Sequence, residues 1–121
     1  MQLNTLDLIV ADVPAATQFF RDAVGFAVRV GEERYAELDA GPVTIMLSAD
    51  ALVPVEPARG VILHLRVDDV DAAFERARQH GVVALREREE TPWGWESAMI
   101  QGPEGVIVDF YRPIDADKPQ P

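Results

Sequence analysis

Leu6, Leu8 and Val10 stand at every second position, and so, further along the chain, do Leu63, Leu65 and Val67. A period of two marks a strand, whose side chains point alternately to opposite faces. Both runs belong to one repeated stretch: LDLIVADVPAA (6–16) returns as LHLRVDDVDAA (63–73), with Leu, Leu, Val, Asp, Val, Ala and Ala at matching places. Each copy continues with an Asp suited to cap a helix, Asp12 and Asp69. The first helix is expected over about Val13 to Val24, burying Ala16, Phe19, Phe20 and Ala23, with Gly25 as its left-handed stop. The second is expected over about Val70 to His80, burying Ala73, Phe74 and Ala77 and ending at Gly81. After each helix the pattern returns to strand-like, turn-punctuated sequence, FAVRVGEERYAELDAGPVTIMLS and then VVALREREETPWGWESAMIQGPEGVIVDFYR. Both halves read β-α-β-β-β. The expected fold class is α+β: two tandem βαβββ modules, module one over about 1–48 and module two over about 61–113. Between them a Pro-rich, unpatterned linker covers about 49–60, and a polar tail over about 114–121 is expected to fray.

Composition narrows the function classes. With 121 residues, 48% of them hydrophobic, the chain suits one domain that folds without covalent staples. It contains no cysteine, which excludes disulfides, thiolate metal sites and thiol nucleophiles. The formal charge of −10 disfavours a nucleic-acid backbone as partner and suits neutral or cationic ligands, or else serves solubility alone. No signal-peptide pattern opens the chain, and no apolar run approaches the roughly 20 residues that a bilayer requires. A cytoplasmic protein with no membrane partner is the default expectation.

Three stretches in order carry a resemblance to a known family: VADVPAATQFFRDAVGF, RVDDVDAAFERARQHGV and PWGWESAMIQGPEGVIVDFYRP. Together they resemble the glyoxalase, bleomycin-resistance and extradiol-dioxygenase superfamily, the vicinal oxygen chelate proteins. The resemblance implies two modules forming an open curved sheet around a cleft, and commonly a homodimer. Periodicity then sorts the strand faces. Leu6, Leu8, Val10, Val43, Ile45, Leu47, Leu63, Leu65, Val67, Val106, Val108 and Phe110 are uniformly apolar and should face the helices. The opposite, chemically mixed face presents Thr5, Asp7 and Ile9, then Thr44, Met46 and Ser48, then Ile62, His64 and Arg66, and finally Ile107, Asp109 and Tyr111. Residues shared by the two copies are expected to build the two scaffolds, and the residues that differ to distinguish the two walls of one site.

Metal-using members of the family hold a divalent ion with His, Glu, His and Glu on four strands. Counted from the shared Val-x-Asp, those positions fall on Thr5, Met46, Ile62 and Asp109, of which only Asp109 is a suitable donor. A catalytic metal needs about three nitrogen or oxygen ligands from the protein. The expectation is therefore no metal and no cofactor. His64 with Asp109 and Asp7 could form an improvised ion site, His64 and Asp109 could act as a metal-free acid and base, or His64 could simply hydrogen-bond a carboxylate or a ligand. No nucleophile motif and no phosphate loop is present, so no catalytic residue is assigned.

TPWGWE holds both tryptophans, Trp93 and Trp95. On the following strand Ala98 and Ile100 should face the core, leaving Trp95, Ser97, Met99 and Gln101 on the mixed face. Either indole could serve only packing. Trp95 beside Met46, Met99, Tyr111 and Ile62 would otherwise form a polarizable wall for a planar multi-ring ligand, which Tyr35 and Glu37 could extend. The candidate ligand-binding set is thus Asp7, Ile9, Met46, Ile62, His64, Arg66, Trp93, Trp95, Met99, Asp109 and Tyr111. The resemblance implies a function to match: metal-free sequestration of an aromatic natural product, such as an antibiotic of the bleomycin, mitomycin or enediyne type, in the cleft of a homodimer. Two alternatives stand beside it: a glyoxalase- or dioxygenase-like enzyme with a non-standard site, and a non-catalytic interaction module whose cleft has filled.

Overall fold

The computed structural model describes residues 1–114; the greater part of the tail expected to fray lies outside the described residues. The chain divides into two compact units, one of Met1–Arg59 with Pro103–Gly105, the other of Gly60–Gly102 with Val106 and the residues after it. In the first, β1 (Thr5–Ile9) leads to α1 (Val13–Gln18), a π-helical segment (Phe19–Val24), β2 (Ala27–Gly31), β3 (Tyr35–Ala40) and β4 (Val43–Ser48). In the second, β5 (Val61–Arg66) leads to α2 (Val70–Arg78), β6 (Ala84–Glu90), β7 (Trp95–Gln101), a 3-10 turn (Pro103–Gly105) that belongs to the first unit, and β8 (Val106–Pro113). The sheet orders are β1-β4-β3-β2 and β5-β8-β7-β6, the same order written twice. In each, the first and last strands of the module pair in parallel and the remainder antiparallel. The architecture is the expected α+β fold of two βαβββ modules.

The two helix starts are equivalent. Asp12 Oδ1 accepts from Ala15 N and Asp69 Oδ1 from Ala72 N, each at 3.0 Å, satisfying backbone donors that the first turn leaves without partners. The first helix departs from the uniform α-helix expected to Val24. Beyond Gln18 the winding widens, and Gly25 N and Phe26 N both donate to Phe20 O at 2.9 Å. Gly25, at φ 97°, then turns the chain so that Phe26 stacks on Phe20, with 6.0 Å between ring centroids and 9° between planes. The second helix closes at Gly81, φ 76°.

The core of the first unit lies between one face of its sheet and the helical segment, where Leu8, Val10, Ala36, Leu38, Ile45 and Leu47 meet Val13, Ala16, Phe20 and Ala23. In the second, Ala98, Ile100, Val106, Val108 and Phe110 meet Val70, Phe74 and Ala77. Each large side chain so buried contributes about 1.5–3 kcal/mol. Leu63 and Leu65, on the edge strand β5, are only half-buried.

One contact in the first unit joins residues far apart in sequence. Glu104 takes left-handed backbone angles (φ 51°, ψ 47°), and its carboxylate accepts from Ala11 N at 2.7 Å and Asp12 N at 3.1 Å. A non-glycine residue rarely adopts that conformation, and the two charge-assisted bonds at the start of α1 offset its cost.

Candidate functional site

On the mixed face of the second sheet the strand register sets the site. His64 pairs with Asp109, Arg66 with Tyr111 and Ile62 with Ile107 across β5 and β8, while Met99 pairs with Asp109 and Ser97 with Tyr111 across β7 and β8. Asp109 is therefore central, with neighbours on both sides. Its side chain is 1% exposed, and both of its oxygens are engaged: Ser97 Oγ donates to Oδ1 at 2.5 Å, and Oδ2 lies 2.6 Å from His64 Nδ1. A carboxylate taken from water must recover the lost hydration through such bonds, and Asp109 does so with two short ones. Ser97, itself 0% exposed, was expected on this face but without a role. Its assignment needed the cross-strand register, which periodicity alone does not fix.

Aromatic rings surround this pair. Trp95 lies 3.8 Å from Tyr111 between centroids, 22° from parallel, and Trp93 meets Trp95 edge-on at 5.9 Å. The His64 ring stands edge-on to Trp95 at 5.7 Å and to Tyr111 at 6.2 Å. Trp95 has thus one ring face already covered and is only 8% exposed, so it is no open wall for a ligand. Trp93 at 38% and Ile62 at 40% are the large apolar groups that present surface, with the His64 side chain at 42%. The expected set Ile62, His64, Arg66, Trp93, Trp95, Met99, Asp109 and Tyr111 lies in this one unit.

Asp7, Ile9 and Met46 belong to the first sheet. Across β1, β4 and β3 the register aligns Asp7, Met46 and Glu37 in one row. Ser48 Oγ donates to Asp7 Oδ1 at 2.7 Å, and Tyr35 Oη donates to Glu37 Oε1 at 2.9 Å. That bond, burial, and the charges of Glu37, Asp7 and Glu32 hold the Tyr35 hydroxyl above its ordinary pKa. Arg29 of β2 reaches across β3 to hydrogen-bond Thr44 of β4. This face is acidic and carries little aromatic surface.

A charge cluster not foreseen in the sequence lies on the helix side of β7. Glu96 accepts from Arg112 Nη2 at 2.6 Å and Arg88 Nη1 at 2.9 Å, and Arg88 Nε lies 3.0 Å from Asp71 Oδ1 of α2. The bonds from Arg112 and then Arg88 hold the Glu96 carboxyl below the usual carboxylate range. The signal was a charged residue at 96, in the alternation that otherwise runs Ala98, Ile100.

The positions where metal-using relatives place ligands do not fit an ion. Thr5, Met46 and Ile62 offer no strong donor, and Asp109 has committed both oxygens to Ser97 and His64. No group of three or more His, Cys, Asp or Glu among the described residues is arranged to hold an ion. Nor is any helix among them long and apolar enough to cross a membrane.

The repeated module and its sheet order agree with one family, and the chain belongs to it: residues 2–110 match the Glyoxalase/Bleomycin resistance protein/Dioxygenase superfamily. A solved structure described only as a conserved domain protein shares 36% identity and a TM-score of 0.86, covering 93% of this chain and 99% of that one. TnmS3, an antibiotic binding protein from Streptomyces sp. CB03234, shares 26% identity over 93% of this chain and 96% of its own, with a TM-score of 0.73. TioX from Micromonospora sp. ML1, at 24% identity over 94% of this chain and all of its own, has a TM-score of 0.75 and shows the same fold. Among curated proteins none matches the chain.

Proposed function

We propose that the protein binds a planar aromatic natural product on the mixed face of its second sheet, without a metal of its own, and that it does so as a homodimer in a sequestering, self-resistance role. The observation that carries this reading is the cluster of Trp93, Trp95, Tyr111 and His64 over a buried Asp109, each of whose oxygens is already hydrogen-bonded. Apolar and aromatic surface supplies affinity in such a site, and a few polar groups fix orientation. The carboxylate is spent on structure, so it is poorly placed to bind an ion or take a proton from a substrate. The likeness to an antibiotic binding protein adds support. Arg66, Ile62 and Met99 complete the contact set on this unit.

Titrating the protein with mitomycin and bleomycin tests the reading. Quenching of tryptophan emission with ligand recovered unchanged is the expected result, together with elemental analysis showing no stoichiometric zinc, iron, nickel or manganese and sedimentation showing a dimer at micromolar concentration. Ligand recovered chemically modified, at a rate that His64→Ala abolishes, would instead make the protein an enzyme.

A further inference from the structure

We infer that Asp109 and Ser97 lock His64 in the tautomer protonated on Nδ1, so that Nε2 serves as a hydrogen-bond acceptor and the site selects aromatic ligands that carry a hydroxyl or N–H donor. The inference rests on the aromatic-binding reading above and names its ligand class.

An ionised carboxylate has no proton to give, so each group in hydrogen-bond contact with it must be a donor. Asp109 Oδ1 receives the Ser97 hydroxyl at 2.5 Å, which leaves Oδ2 to receive Nδ1–H from His64 at 2.6 Å. A neutral imidazole has one N–H only, so the proton on Nδ1 leaves a lone pair on Nε2. The two nitrogens lie on different edges of the ring. The edge with Nδ1 meets a carboxylate that is 1% exposed, while the His64 side chain as a whole is 42% exposed, so its accessible surface lies away from Asp109. Trp95 and Tyr111 both stand edge-on to the imidazole and restrict its rotation. Ser97 matters because it occupies the second oxygen and fixes which one faces His64. Both are positioning residues, and His64 is the group that would touch ligand. A phenolic O–H or heteroaromatic N–H lying over Trp93 and Ile62 meets its acceptor there, whereas the corresponding methyl ether does not.

The experiment has two arms on the intact protein. Long-range proton–nitrogen correlation of labelled histidine at mildly alkaline pH reads the tautomer directly, with His80→Gln removing the only other imidazole. The expected result is a protonated Nδ1 and an unprotonated Nε2 for His64 in the wild type, reversed or averaged in Asp109→Asn. A proton on Nε2 in the wild type overturns the inference, and that spectrum decides the matter even if Asp109→Asn fails to fold. In the second arm, 2-naphthol should bind roughly tenfold more tightly than 2-methoxynaphthalene, as expected for one hydrogen bond, with the preference lost in His64→Phe. Equal affinity of the two probes overturns the ligand selectivity alone. Binding of neither overturns it together with the aromatic-binding reading.

Discussion

The Trp95 indole lies against the Tyr111 ring at 3.8 Å and is almost wholly covered, while its neighbour Trp93 meets it edge-on and presents more than a third of its surface. The two tryptophans of one hexapeptide therefore have different tasks. Trp95 also donates its backbone N–H to Thr91 Oγ1 at 3.0 Å, fixing the start of β7. Removing its ring leaves a cavity beside Tyr111, His64 and Trp93. Trp95→Ala is expected to cost about 3–5 kcal/mol of stability, read from urea midpoints. A loss below about 1 kcal/mol would show that the ring is not part of the packed core.

Trp93 gives the complementary prediction. Its exposed ring is available to a planar ligand, so Trp93→Ala should weaken ligand binding by about 1–3 kcal/mol. The urea midpoint should fall less than in Trp95→Ala, since Trp93 is 38% exposed and Trp95 only 8%. A variant that binds mitomycin as tightly as the wild type would place the ligand elsewhere.

Much of this was legible before any coordinates. The period-two runs, the matching Asp12 and Asp69 caps and the closing Gly25 and Gly81 located both modules, because each signal is local and comes twice. The π-helical winding after Gln18 was not legible, since the FF pair and Ala23 fit an ordinary helical stripe equally well. Facing was also readable: His64 and Asp109 fall on one face by parity. Depth was not, because parity places Trp95 and Trp93 near each other without saying which one Tyr111 will cover. Ser97 and Glu96 escaped for the same reason. Each acts on a partner from another strand, Asp109 for one and Arg112 for the other, and only the register joins them.

Glu104 tests whether a strained backbone is maintained for its side chain. Its carboxylate holds Ala11 N and Asp12 N, and its left-handed conformation costs any residue but glycine. Glu104→Ala loses the bonds and keeps the strain; Glu104→Gly loses the bonds and relieves it. Both should be less stable than the wild type, with the glycine variant about 1 kcal/mol above the alanine variant. At Gly105, φ 90°, an added Cβ would stand 2.9 Å from Ala58 O, so Gly105→Ala should be destabilised as well. Equal midpoints for Glu104→Ala and Glu104→Gly would mean that the strain is absent in solution.

The Glu96 cluster predicts a specific acid dependence. Arg112 and Arg88 favour the charged carboxylate, so its pKa in the folded protein lies below the unfolded value of about 4.3. Folding then carries a stabilisation that is complete above the unfolded value and is lost as pH falls through the folded one. Both arginines are about half exposed, at 50% and 47%, which screens the pairs and holds the contribution to roughly 1 kcal/mol. Glu96→Gln should therefore be less stable than the wild type by that amount at pH 7, and the gap should narrow at pH 3, below the unfolded value, because the unfolded carboxyl takes up its proton before the folded one does. High salt should narrow it at pH 7 too, because partly exposed pairs are screened. Urea midpoints at the two pH values decide the point: a gap of the same size at both would mean that the destabilisation comes from altered packing and not from the charge on Glu96.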